Sequence, residues 1–103
     1  MDSVTINVDM RFKEVSGQDF DTVSNSLELA IDTFITAIQN EGSVELADII
    51  GIAKKHTGVD NIDTTTADIT ASGGGSETTQ GDILLTKNEY PATGTITLTR
   101  WTN

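Results

Sequence analysis

Val4, Ile6, Val8, Met10 and Phe12 alternate without interruption with Thr5, Asn7, Asp9 and Arg11. A period of two puts the first set on one face of a strand and the second on the other, so this segment must be half-buried. Whatever else the chain does, it has to supply a cover for that apolar face. The next periodic segment has the right form: Phe20, Val23, Leu27, Ala30, Ile31, Phe34 and Ile38 recur at steps of three and four. That spacing draws one apolar stripe along a helix. Asp19 and Ser16 are its N-cap candidates, and Asp21 sets negative charge near the positive end of the helix dipole. The helix is expected to end near Asn40 and Gly42 and to span roughly 30 Å at about 1.5 Å per residue. Truncating Phe34 to alanine is expected to cost roughly 3–5 kcal/mol, the range for opening a cavity at a buried aromatic.

A shorter helix follows, with Leu46, Ala47, Ile49, Ile50 and Ala53 on its buried face. Lys54, Lys55 and His56 crowd its last turn, where positive charge suits the dipole, and Gly58 supplies a left-handed stop. Val59 to Thr70 reads as a threonine-rich strand of imperfect alternation. Residues 71–80, low in apolar content and rich in glycine, read as a flexible loop. Ile83 to Leu85 is a short strand, and Thr95 to Trp101 alternates again. Between them lie the single proline and the single tyrosine of the chain. Pro91 fixes its own φ and biases Tyr90 toward an extended conformation, while Gly94 permits a positive φ. Residues 90–94 therefore read as a rigid corner that re-aims the chain toward its last strand. The expectation is a single α+β domain over residues 1–103. Two helices, one long and one short, pack on one face of a small mixed or antiparallel sheet of three to four strands, in the order β-α-α-β-β-β. The opposite face is threonine-rich and wet.

With 103 residues the chain has the length of one ordinary domain. It has no cysteine, so neither disulfide nor thiolate chemistry is open to it. Its net charge of −10 disfavours contact with nucleic-acid phosphates and with anionic lipid. Residues 2–13 carry charges through their apolar pattern and do not read as a signal peptide. No apolar run approaches the roughly 20 residues of a spanning helix.

Reaction chemistry finds little support in the residue pattern. The one histidine, His56, sits among lysines at a helix end, which suits a solvated helix-terminal cation better than a general base. Gly73, Gly74 and Gly75 are followed by Ser76 and Glu77, lacking the lysine and the helix that a phosphate-binding loop requires. Asp60, Asn61, Asp63 and Asp68 offer oxygen ligands for weak calcium binding, without the spacing of a calcium loop. No catalytic, cofactor or metal residue is assigned, and the chain reads as a non-enzyme. Trp101, on the parity of Thr97 and Thr99, is a candidate interface anchor. Tyr90, Pro91, Arg100 and Trp101 form the candidate interface set.

One ordered combination is more specific than any single motif. Gly42, Ser43 and Val44 lead into Leu46 to Ile50; Gly58 and Val59 follow His56, with Ile62 soon after. The chain then closes through Asp82 to Leu85 and through Glu89, Pro91 and Gly94 into the last strand. From about Val4 to Leu98 this order resembles the C-terminal domain of the baseplate J-like proteins of contractile phage tails. Proteins of that family are much longer, so the resemblance makes this chain either their last portion or a free-standing relative, with Gly73–Gly75 as a local insertion. It implies a structural wedge component in the virion's tail baseplate, assembled in the host cytoplasm. Its partners would be other baseplate or tail proteins, in an oligomeric particle, with no nucleic acid, no membrane insertion and no cofactor. Two other readings stand beside it. One is a non-viral adaptor or ligand-binding module that uses the acidic, glycine-rich loop 73–80. The other is a small hydrolase or metal enzyme dependent on His56.

Overall fold

The alternating segment Asp2–Glu14 is a strand (β1), and everything else is arranged around it. The structure, a computed structural model, describes residues 2–38, 42–74, 76–77, 82–86 and 88–101. After β1 come helix α1 (Phe20–Ala37), strand β2 (Ser43–Val44), helix α2 (Leu46–Lys55) and strand β3 (Val59–Ser72). Strands β4 (Ser76–Glu77), β5 (Ile83–Leu84) and β6 (Glu89–Arg100) complete the order. The fold is α+β, as its residue pattern predicts. The main sheet has the order β3-β1-β6, with β1 antiparallel to β3 and parallel to β6. A small second sheet, in the order β2-β5-β4, is built from two-residue strands.

Val4, Ile6, Val8, Met10 and Phe12 are all buried and form the floor of the core. The roof is Val23, Leu27, Ile31 and Ile35 from α1 with Ile49 and Ala53 from α2. Asp19 caps α1 as expected: its carboxylate accepts from the Thr22 amide at 3.1 Å and the Thr22 hydroxyl at 2.8 Å. Helix α2 is capped across the chain, since the carboxylate of Asp82 accepts from the Leu46 amide at 3.1 Å. Gly58, at a φ of +97°, turns the chain into β3, and its carbonyl accepts from the Val15 amide at 2.8 Å.

Four local expectations need correcting. Helix α1 ends at Ala37, with Ile38 as its C-cap, short of Gly42; Asn40 lies outside the described residues. The deepest stripe of α1 includes Ile35, and Phe34 is only half-buried, turned toward α2 beside Ala47 and Gly51. In the predicted loop 71–80, Ala71 and Ser72 close β3, and Ser76 and Glu77 pair with β5. Gly75 and residues 78–80 lie outside the described residues. The predicted corner at 90–94 is no corner. Residues 89–100 are one strand lying along β1, with Tyr90 opposite Ser3 and Pro91 opposite Val4.

Pro91 is tolerated there because β6 is an edge strand, where a missing amide donor on the outer side breaks no ladder. Gly94 sits where the register slips: Ile6 faces Thr93, but Val8 faces Ile96. The slip is a bulge, and the Asn7 side chain fills it by accepting from the Thr95 amide at 2.9 Å. A Cβ on Gly94 would run into that Asn7 oxygen and the Thr5 methyl. The bulge reverses the facing of the strand, which is why Pro91 and Ile96 both turn inward although five positions apart.

Two outcomes follow for stability. Ile31→Ala is expected to lose roughly 2–5 kcal/mol in urea unfolding, as a fully buried side chain does, while Phe34→Ala loses clearly less, about 1–2 kcal/mol. Gly94→Ala should lower the unfolding midpoint and shift the Asn7 and Thr95 amide resonances together, because the added methyl expels the Asn7 carboxamide from the bulge.

Candidate functional site

The most densely hydrogen-bonded polar group is on β3. Asp9 of β1 faces Asp68, yet Arg11, two positions on, faces Asp63, so β3 holds extra residues between Asp63 and Asp68. Asp63 is 6% exposed and organises this bulge. Its carboxylate accepts from the Thr65 hydroxyl at 2.6 Å, the Thr65 amide at 3.1 Å and the Thr66 hydroxyl at 3.0 Å. It also pairs with the Arg11 guanidinium at 2.6 Å. The Thr65 hydroxyl, joined by the Thr66 hydroxyl, the Thr65 amide and Arg11, outweighs burial and holds the Asp63 carboxyl down to about 2, below its usual 3.8. Asp63 is therefore committed to internal contacts. Among the described residues no group of three or more His, Asp or Glu side chains is placed to hold a metal ion, so Asp60, Asp63 and Asp68 do not converge on one site.

His56 is not the freely solvated cation that its sequence neighbours suggest. It caps the C-terminus of α2, half-buried, with Nε2 at 3.0 Å from the Ser26 hydroxyl of α1. Its Nδ1 is buried and meets no hydrogen-bond partner among the described residues. In a serine nucleophile triad a carboxylate would orient the ring through that nitrogen. The contact ties the two helices together.

The candidate interface residues fall at opposite ends of β6. Tyr90 and Pro91 lie beside Ser3 and Val4, while Arg100 lies beside Phe12, roughly 30 Å further along at about 3.3 Å per residue. Tyr90 is exposed, whereas Pro91 is buried and offers no side-chain surface. Arg100 pairs with the Glu14 carboxylate at 2.7 Å and lies over the Phe20 ring at 5.2 Å. That ring stacks on Phe12, with centroids 4.7 Å apart. Arg100 thus closes a layered contact between β6, the start of α1 and β1. The Trp101 amide donates to the Phe12 carbonyl at 2.8 Å, which fastens the strand end, and the indole remains half-exposed.

Sequence reasoning did not single out the flank of α1 that overhangs β6. Asn25, Glu28, Leu29 and Asp32 line an open groove there, with Thr93 and Ile96 as its floor. Leu29 is 66% exposed, the most exposed large apolar side chain among the described residues. Its position off the helix stripe, between two acidic residues, was the available signal. The outer face of the main sheet is polar, with Asp9, Arg11, Thr95, Thr97 and Thr99 all exposed. No helix among the described residues is long and apolar enough to cross a membrane. No family model matches the chain, and no curated protein matches it.

The Asp63 carboxylate sets a pH dependence. Its folded value lies below the unfolded one, so its stabilisation is complete above about pH 4 and is lost as pH falls through about 2. Asp63→Asn should lower stability at neutral pH and flatten the part of the acid unfolding profile between about pH 4 and pH 2 that belongs to this group. Urea titrations at a series of pH values read both effects.

Proposed function

We propose that this chain is a structural domain of a contractile phage tail baseplate, or of a related injection machine, working through protein–protein interfaces in the baseplate ring. The observation that carries the reading is the state of the sheet edges. Both outer strands of the main sheet are long, and among the described residues neither has a partner on its outer side. Long unpaired edges are templates for pairing and are normally blunted or occupied. The β3 edge is blunted by the Asp63 bulge. The first half of β6 is blunted by Pro91 and the bulge at Gly94. Thr95 to Arg100 is left as regular strand with an open side. The order of short motifs along the chain, which resembles the C-terminal domain of baseplate J-like proteins, supplies the setting. The polar groups with the most internal contacts serve the fold: Asp63 its bulge, Asp19 a helix cap, His56 a helix junction.

The alternative adaptor reading places recognition in 73–80, where Gly75 and residues 78–80 lie outside the described residues. The two readings separate when the chain is co-expressed with the proteins encoded beside it and baseplate subassemblies are isolated. Under the proposal it co-purifies with tail proteins, and Trp101→Ala or Tyr90→Ala weakens the association if the strand ends take part. Absence from every subassembly overturns the proposal. Association that survives both substitutions moves the interface away from the ends of β6.

A further inference from the structure

Deepening the interface reading just given, we infer that the groove between α1 and the open half of β6 takes an extended, basic segment of a partner protein, added as a fourth strand beside β6. The groove encloses about 470 Å³ and has three features that select this occupant. Its floor, Thr93 and Ile96, belongs to an edge strand, so an extended chain laid beside it along Thr95 to Arg100 meets backbone donors and acceptors that no described strand uses. Its apolar part is Leu29 over Ile96: Ile96 is only half-covered by the core, and Leu29, mostly exposed, faces it from the helix. A strand added here would send every second side chain under Leu29, as the period of two requires.

The third feature is charge. Glu28 and Asp32 flank Leu29 on the groove wall. Helix α1 carries no lysine or arginine at all, and the guanidinium of Arg100, at the far end of β6, is engaged by Glu14. Lysine or arginine at inward positions on either side of the one under Leu29 would face these carboxylates. A second copy of this chain suits the groove poorly. It would bring an overall charge of −10 to an acidic wall, and the inward positions of its own β6 hold Ile96 and Leu98 where the wall asks for cations. Thr93 adds a specific point at the groove's end before the bulge: its hydroxyl is buried with no partner among the described residues, a polar contact left for an incoming side chain.

The test uses the full chain, labelled with ¹⁵N, and a short peptide whose alternate positions are lysine, valine and lysine, separated by threonines. Under the proposal the peptide shifts the amide resonances of residues 95–100 and of Asn25, Glu28, Leu29 and Asp32, and slows exchange of the outward amides of β6. Replacing lysine by glutamate, or inserting a central proline, abolishes the effect. The double charge reversal Glu28→Lys with Asp32→Lys, and separately Leu29→Ser, each weaken binding by about tenfold or more, as loss of complementary charge or of a central anchor does. All three positions are at least partly exposed, so these variants keep the fold. Shifts confined to other surfaces, equal binding of the glutamate peptide, or a concentration-dependent dimer in sedimentation that uses the same residues would overturn the inference. The baseplate setting fails separately. If the peptide binds the groove but the chain joins no tail subassembly, the groove stands and the setting falls. If the chain joins a subassembly and Leu29→Ser leaves that association unchanged, the setting stands and the groove falls.

Discussion

Strand β1 is the constraint on which the structure depends. It is the central strand of the main sheet, so it is paired along both edges, and its inner side chains form the middle of the core's floor, flanked by Ile62, Ala67 and Ile69 of β3. Both helices and both flanking strands are positioned by contact with it. A strand so enclosed has little freedom to slip, because a one-residue shift would turn Val4, Ile6, Val8, Met10 and Phe12 to water together. The register slips are accordingly taken up by its neighbours, in β3 between Asp63 and Asp68 and between Val59 and Asn61, and in β6 around Gly94.

Two of these slips are held by a side chain from β1. Arg11 reaches the Asp63 carboxylate at the β3 bulge, and Asn7 reaches the Thr95 amide at the β6 bulge. The polar face of β1 is therefore not a passive solvated surface. It alternates with the core residues for a structural reason, since every second position is available to secure a neighbour where regular pairing fails. The price is a sheet whose two outer strands are uneven, one edge interrupted by a polar bulge and the other regular only past Gly94. That asymmetry leaves regular stretches in β6 past Gly94, which lies under α1, and in β3 from Asp68 to Ser72.

The division of the helices follows from the same geometry. Helix α1 lies over the β6 side and α2 over the β3 side, and the Ser26–His56 contact joins them. Because α1 is turned so that Val23, Leu27, Ile31 and Ile35 face down and Phe34 faces α2, its remaining flank overhangs the sheet edge. Leu29 on that flank is left without a core to enter. An exposed leucine alone is ordinary. It gains meaning from the open strand beneath it and the carboxylates to either side.

From the residue pattern alone came the α+β class, the order of the main elements without the two-residue strands β2 and β4, the first strand with its buried face, the cap at Asp19 and the turn at Gly58. These rest on local signals: a period, a capping side chain, a residue free to take positive φ. The imperfect alternation of Val59 to Thr70 was legible but not interpretable, because a bulge shifts the parity of a strand, and only the neighbour shows where. The same reason misled the reading of residues 90–94. Proline and glycine in sequence suggest a corner, whereas beside β1 they are an edge position and a bulge. The role of Asp63 depends on Arg11, 52 positions away, and the groove beside β6 on how far α1 is rotated. Only tertiary structure decides such matters, since they are set by which elements become neighbours and not by any residue's own preference.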